Sequence, residues 1–573
     1  MRYRWQPVVP QPLLANPLAQ QLRISPLLAQ CLLNRGHTEP EAIARFLKPQ
    51  LRQLADPFLL PNMRTAVDRL FAARERGEPL VIFGDYDVDG VTSTALLLEV
   101  LRALGWKVDA YLPHRLDEGY GLSRDGVENC LKKFPVPLLL AVDCGSTSVA
   151  TIAWLREQQV DVIVLDHHQL VPPVPEAVAL VNPQLAGGFH ELCSVGLAFK
   201  LAHAILKHGR ETGLPGAHEF DLKPLLDLVA LGTIADLVPL TGENRLLVAA
   251  GLPRLSTTQR PGLVALKQVS QCPPELGTYE VGFQLAPRLN AAGRLETAED
   301  ALRLLMARIV TGARPIAQAL DTQNRERQRI EKGIVLEVAG AVRARFDPAR
   351  DYVIVEGRVP WHIGVVGIVA SRVLQEFYRP TIIVGGDGEH WRGSGRSIAG
   401  FDLAAALREC DGLLVRHGGH AMAAGLTVDP ARLDEFRARL NEIARRLLKP
   451  DDLQPALRLD AEVPLGAFSL RTLSELEQLK PMGMGNPVLQ FFASGLTHQR
   501  PLQRIGAEKQ HVKLWVTDGR TTQECVWWNA GEQSLPVGRF DLAFTPQVSE
   551  FEGQRRVQLK VLDWRPAAER ELV

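Results

Sequence analysis

Asp85, Asp87 and Asp89 stand at alternate positions in FGDYDVDG, directly after the apolar run Leu80-Val81-Ile82. Three carboxylates that close together repel one another and raise each other's pKa unless a cation lies between them. Asp143 ends the run PLLLAVD, and Asp166 ends VDVIVLD with His167-His168 directly after it. Oxygen donors mixed with imidazole nitrogen suit manganese or magnesium better than a thiolate-bound metal, and two ions could share such a set. A single strand-end Asp more often caps the helix that follows it. Three such ends together with a His pair point to a common ion site. Asp236, inside the apolar run LGTIADLVPL, is costly to bury unless paired or metal-bound, and helix-end capping is the equal alternative.

These residues need a scaffold that brings distant strand ends together. From about residue 65 short β-rich runs (PLVIFG, VDAYLPH, PLLLAVD, VDVIVLD) alternate with helical stretches such as VTSTALLLEVLRALG and STSVATIAWLREQQ. That alternation predicts a parallel sheet covered on both faces, with ligands bound beyond the carboxyl ends of its strands. A helix is expected over PLLDLVALGTIADLVPL (224–240), and a polar connecting helix over 315–346. A second α/β unit begins at DYVIVEG (351–357), and the alternating runs HVKLWVTD, TTQECVWWN and RRVQLKVLDW predict a small β-barrel. The expected division is an N-terminal helical extension (1–60), a catalytic α/β domain (61–310), a connecting helix (311–346), a phosphate-binding α/β domain (347–450) and the barrel (455–573).

Composition narrows the function classes. A chain of 573 residues is too long for one core. Lys+Arg and Asp+Glu are both 65, so a nucleic-acid partner would need a local basic patch because the overall field is neutral. The seven Cys are scattered without a CxxC pair, which argues against structural zinc and a disulfide framework and fits a reducing cytoplasm. No apolar run approaches a membrane span and MRYRWQPVVPQP has no signal-peptide core, so a soluble cytoplasmic protein is expected.

Three polar clusters could grip phosphates. GGHAMAAG supplies Gly418, Gly419 and His420, whose glycines let backbone N–H groups approach an anion. GSGRS supplies Ser394, Arg396 and Ser397, and guanidinium pairs with phosphate through two hydrogen bonds. Arg288, Asn290 and Arg294 lie in PRLNAAGR. Taken singly, a GGH is more often a turn and an Arg more often solvates a face.

Asp166-His167-His168, preceded by GDYDVDG and AVDCG, resembles the DHH phosphoesterases. LVALGTIADLVPL, APRLNAAGRL, WHIGVVGIVASR, GSGRSIAGFDL, GGHAMAAG and PMGMGNP, in order along nearly the whole chain, resemble the bacterial RecJ-type single-strand-specific exonucleases within that family. The resemblance implies Asp87, Asp89, Asp143, His167 and Asp236 as ligands of two divalent ions, manganese preferred and magnesium possible. His168 matches a position near the metals and the scissile phosphate, and Asp85 either supports a ligand or ligates itself. Many relatives carry His four residues before the first ligand Asp, where this chain has Phe83.

The implied reaction is two-metal hydrolysis of single-stranded DNA, 5′ to 3′, to mononucleotides in repair and recombination, with Asp87, Asp89 and His168 catalytic. Implied partners are a single-strand-binding protein and a RecQ-type helicase, and the enzyme is expected to be a monomer. The barrel resembles an OB-fold, which binds single strands through basic grooves and stacking aromatics. Lys513, Trp515, Arg520, Trp527, Trp528, Arg555 and Lys560 are the candidates there. The barrel is expected to supply strand affinity and to be separable from the chemistry. The rival readings are a phosphodiesterase for oligonucleotides or cyclic dinucleotides, for which a strand-tracking barrel has no use, and a catalytically silent replication scaffold, which would lack the ligands.

Overall fold

The computed structural model describes residues 3–114, 117–119, 121–185, 189, 191–295, 297–386, 388–531, 533–551 and 553–567. The chain forms two compact units, one of residues Pro49–Arg329 with Pro481–Pro487, the other of Met1–Lys48, Ile330–Lys480 and Val488–Val573.

The first unit is built on a five-stranded, wholly parallel sheet in the order Val108–Tyr111, Leu80–Gly84, Leu138–Val142, Asp161–Leu165, Ala179–Val181. Its central strands Leu80–Gly84 and Leu138–Val142 are apolar at consecutive positions because both faces are covered. Leu80, Ile82, Leu138, Leu140 and Ile163 join the core with helices Val88–Ala103 and Ser194–Thr212. Val81, Phe83, Leu139, Ala141 and Val162 join a separate core with helices Arg124–Lys133 and Val149–Glu157. The second strand in sequence lies on one side of the first and the third on the other. The direction in which strands are added to the sheet therefore reverses between strands Leu80–Gly84 and Leu138–Val142, and open α/β sheets bind ligands at such a switch point.

The expected helix over 224–240 stops earlier, spanning Leu226–Ala235 with Asp236 at its C-cap. Leu237 adopts φ +61, a left-handed turn that ends the helix ahead of Pro239. The connecting helix runs Val310–Arg345.

In the second unit, a mixed sheet takes the order Leu414–His420, Ala423–Val428, Trp391–Arg396, Thr381–Gly385, Ile354–Arg358, with only the last pair parallel. The barrel is a closed ring of Phe491–Ile505, His511–Thr517, Thr522–Trp527, Gln554–Pro566 and Phe540–Phe551, which pairs back onto the first of these strands.

Two features depart from the expected division. The N-terminus starts with a strand, Arg4–Pro7, paired in parallel with Ala456–Leu459, and Trp5 Nε1 donates to Asp563 at 2.9 Å. The N-terminal residues thus belong to the unit that carries the barrel. The PMGMGNP segment, expected within the barrel domain, belongs to the first unit. Leu240 N–H donates to the Met484 carbonyl at 2.8 Å and Thr278 Oγ1 donates to that of Met482 at 2.8 Å.

Candidate metal centre

Strand register builds the centre. Gly84 is level with Val142, and Val142 with Leu165, across three adjacent strands. The residues that follow, Asp85, Asp143 and Asp166, therefore leave the sheet side by side. Each donates its N–H to the neighbouring strand's last carbonyl, at 3.2, 3.0 and 3.2 Å respectively. At Asp143 itself the backbone turns away from the sheet, with φ +64.

Asp87 does what a strand-end Asp ordinarily does: it caps helix Val88–Ala103, accepting from Asp89 N–H at 2.9 Å and Gly90 N–H at 3.1 Å. The cap fixes its carboxylate beside the centre. Gly90 is required there, since a Cβ would lie 2.5 Å from the Asp85 carbonyl oxygen. Asp89 is clamped by the N-terminus of helix Ser194–Thr212, with Ser194 N–H at 2.7 Å and Val195 N–H at 2.8 Å, and Ser194 Oγ donates to Asp143 at 2.9 Å.

His167 Nε2 lies 3.4 Å from Asp143 Oδ1, 3.6 Å from Asp236 Oδ2 and 3.8 Å from Asp89 Oδ2. Both His167 Nε2 and Asp236 Oδ2 are buried without a hydrogen bond. Buried polar atoms are rarely left so, and an ion site is a standing explanation. The location of Asp236 weakens the capping alternative, because a carboxylate at a helix C-terminus has the wrong sign for the dipole.

Ligand atoms of Asp85, Asp87 and Asp143 fall within 4.8 Å of one another, and so do those of Asp89, His167 and Asp236, and of Asp143, His167 and His168. These three sets, linked through the shared Asp143 and His167, combine hard oxygen with imidazole and fit two divalent cations.

The electrostatics agree with that fit. Burial raises Asp89 to about 7, with the Asp87 charge adding to it. Burial, then the charges of Asp89 and Asp87, raises Asp236 to about 9. Asp143 is held well above the usual carboxylate range by burial, with Asp87, Asp89, Asp85 and Asp236 adding. Burial also pushes His167 down to about 4, so its ring is neutral at pH 7 and has a lone pair to offer.

His168 behaves oppositely. Burial works against its charge, but the hydrogen bond to Asp166 (Nδ1 to Oδ1, 2.7 Å) and that carboxylate's charge lift it to about 9. Asp166 also accepts from the backbone N–H groups of Ser146, His167 and His168, so it fixes the backbone that carries both histidines as well as the His168 ring.

Among the described residues, the structure distributes the remaining sequence candidates unevenly. Phe83 is buried in an apolar core and stacks on Tyr111, with ring centroids 5.6 Å apart, so it supplies no ligand. Asn290 Oδ1 accepts from Val88 N–H at 3.1 Å, and a Cβ on Gly293 would lie 2.8 Å from the Tyr86 carbonyl. The small-residue face of NAAG thus holds the aspartate loop. Arg288 is clamped between Asp321 (2.9 Å) and the Gln284 carbonyl (2.6 Å), joining two helices, and Arg294 is half-buried on the same helix as Asn290.

In the second unit, Arg396 donates to Ser394 Oγ at 2.8 Å. Its guanidinium approaches the first turn of helix Val366–Phe377, where a Cβ on Gly367 would be 3.2 Å from Nη2. Ser397 is buried and spends its hydroxyl on the Phe401 carbonyl at 2.6 Å, which removes it as a phosphate donor. Gly418, Gly419 and His420 are exposed on an edge strand, and Gly419, at φ +141, admits no Cβ against Ala424.

In the barrel, Trp515 and Trp527 are buried and Trp528 is exposed. Arg500 lies 3.6 Å over the Trp515 ring, Lys513 pairs with Glu524 at 2.9 Å, and Arg520, Arg555 and Lys560 are exposed.

The model of the DHH family, N-terminal domain, matches residues 79–233, that of the DHHA1 domain residues 351–446, and that of the RecJ OB domain residues 459–563. The single-stranded-DNA-specific exonuclease RecJ of Bacillus subtilis is 38% identical over 571 residues, 98% of this chain and 71% of that protein. The chain belongs to the RecJ family. The Escherichia coli member is 34% identical over 561 residues, 94% of this chain and 95% of its own. Thermus thermophilus RecJ, solved in complex with Mn2+, superposes with a TM-score of 0.84 at 31% identity, covering 98% of this chain and 80% of that one.

Sequence reading missed several residues that hold the RecJ-type centre in place. Ser194 and Val195 are remote in sequence from the acids they bind, and a helix N-terminus preceded by Cys193 gives no motif. Asn182, just after strand Ala179–Val181, donates to Ser146 Oγ and to the His168 carbonyl, both at 2.9 Å. A polar residue ending an apolar strand was its only available signal.

The raised carboxylates predict a pH-dependent response to metal. An unfolded Asp titrates near 3.8, whereas Asp89 and Asp236 in the fold titrate near 7 and 9. Between those limits the folded, cation-free protein holds protons that the unfolded chain has released. Its stability is therefore highest below about pH 4 with respect to these groups and declines as pH rises toward 9. A divalent ion replaces those protons, so manganese should raise Tm more at pH 8 than at pH 5.5. Thermal melts with manganese and with chelator at both pH values measure this, and an equal increment at both would place the ion elsewhere.

Proposed function

We propose that this chain is a single-stranded-DNA-specific exonuclease that hydrolyses phosphodiester bonds 5′ to 3′ to mononucleotides, acting in DNA repair and recombination. The observation that supports it most is the pair of cation-sized donor sets at the sheet's switch point, in a chain 34–38% identical to named RecJ exonucleases. Asp85, Asp87 and Asp143 would hold one ion, and Asp89, His167 and Asp236 the other, manganese or magnesium. Bound divalent ions supply Lewis acidity to the phosphodiester and lower the pKa of attacking water.

The chain's own groups then have distinct tasks. Asp87 is oriented by its capping bonds and Asp89 by the helix Ser194–Thr212, so neither carboxylate has to reorganise. His168, charged at neutral pH and fixed by Asp166, faces the scissile phosphate as a cation and holds a proton for the leaving oxygen. Arg396 with Ser394 at a helix N-terminus, and the exposed Gly418-Gly419-His420 hairpin, are phosphate contacts of the second unit. Arg294 is a further contact. The barrel tracks the strand through Trp528, Arg520, Arg555 and Lys560. Single-strand-binding protein and a RecQ-type helicase are its partners, and it works as a cytoplasmic monomer.

The test is manganese-dependent release of mononucleotides from labelled, 5′-phosphorylated single strands, set beside duplex and cyclic-dinucleotide substrates. Single strands should be degraded and the other two spared. Preferential turnover of the dinucleotide would move the chain to the other branch of DHH phosphodiesterases.

A further inference from the structure

Aromatic side chains are usually buried for their large apolar area, yet Tyr279 and Phe283 are 62% and 65% exposed. They lie one helical turn apart with rings stacked at 5.0 Å and 27°. Neither ring packs into the core of the unit that carries them. Phe283 belongs to the π-helical segment Val281–Leu285, which runs directly into helix Ala286–Leu295. π-helical segments recur at functional sites, and this one feeds the helix whose Asn290 and Gly293 hold the aspartate loop.

The same segment packs on the helix that ends at Asp236, since a Cβ on Gly282 would sit 4.0 Å from Ile234 Cγ2. The residue after Asp236, Leu237, is 68% exposed. The exposed apolar side chains therefore spring from the two elements that position the metal centre.

We propose that Tyr279 and Phe283 form a stacking platform for a nucleobase of the strand whose phosphodiester enters the centre. The proposal rests on the exonuclease reading above and adds how that site selects its substrate. A nucleobase offers a π face of any sequence, which suits a nuclease without base preference. In a duplex the base faces are already stacked on their neighbours and the edges are paired, so the platform engages only an unpaired strand. Among the described residues, no cation covers either ring in the way Arg500 covers Trp515 in the barrel. Two exposed, mutually stacked rings offer the flat apolar face that base stacking needs.

The experiment compares wild-type enzyme, Phe283→Ala, Tyr279→Ala and Phe283→Trp on two 5′-phosphorylated single strands. One carries normal bases and the other has abasic tetrahydrofuran residues over its first several positions. Stacking of about 1–3 kcal/mol per base corresponds to about 5- to 150-fold in kcat/KM. Each alanine variant should lose about that factor on the normal strand and little on the abasic one, and Phe283→Trp should retain activity on both. Equal losses on both strands would show that the rings only support the aspartate loop, and no loss on the normal strand would also overturn the platform. If wild-type enzyme releases no nucleotide from the normal strand, the exonuclease reading itself fails, which is a separate result.

Discussion

Asp143→Asn should abolish phosphodiester hydrolysis while leaving the protein folded and able to bind single strands. Asp143 Oδ1 lies 3.4 Å from His167 Nε2, and the residue is in ligand range of Asp85 and Asp87 on its other side. One carboxylate therefore serves both halves of the donor set, and its loss weakens both. Forfeiting several kcal/mol of transition-state stabilisation means a fall of about 10³-fold or more in turnover. The amide keeps an acceptor for Ser194 Oγ, so the clamp from helix Ser194–Thr212 survives.

Stability should move the other way. Asp143 is pushed up by burial among Asp87, Asp89, Asp85 and Asp236. An amide carries neither that repulsion nor the need to take up a proton on folding, so the metal-free variant should melt at or above the wild-type temperature at pH 8. The increment that manganese adds should shrink. Turnover, melting with and without manganese, and strand affinity by fluorescence anisotropy together test this, and near-wild-type turnover in manganese would overturn the ligand assignment.

Truncation after residue 460 is the second large effect. If the barrel were a separable module, its removal would only raise KM. The fold argues for a heavier loss, because Pro481–Pro487 belong to the catalytic unit and not to the barrel. Their removal takes away the acceptor of Leu240 N–H and that of Thr278 Oγ1, and uncovers Pro239 where Gly485 packs. That stretch lies only a few residues from Asp236, whose carboxylate has to stay buried beside His167. The truncation also unpairs Trp5 from Asp563 and Phe492 in the other unit. Turnover should therefore drop by at least about tenfold even at saturating single strand, since about 1.4 kcal/mol of misplacement suffices for that. The Tm should fall as well. Point variants on the barrel surface, such as Trp528→Ala or Lys560→Ala, should by contrast raise KM and leave saturated turnover intact. A truncated enzyme with wild-type saturated turnover would show that the segment is dispensable.

The sequence alone determined the donor chemistry and the local elements. Alternating Asp residues after an apolar run, and a His pair after another, state their strand-end positions because strand and turn are local, periodic features of the chain. The three strand ends meet as expected because a parallel sheet has few ways to order short βα units. Tertiary structure decided what depended on contacts between remote residues. Only the register of the sheet sets Asp85, Asp143 and Asp166 level. The N-terminal strand pairs across some 450 residues with Ala456–Leu459. Ser194 reaches Asp89 across 105 residues. PMGMGNP returns to the catalytic unit, and Ser397 turns inward. None of these carries a periodic signal, because a single hydrogen bond or close glycine contact between distant segments leaves no spacing along the chain to read.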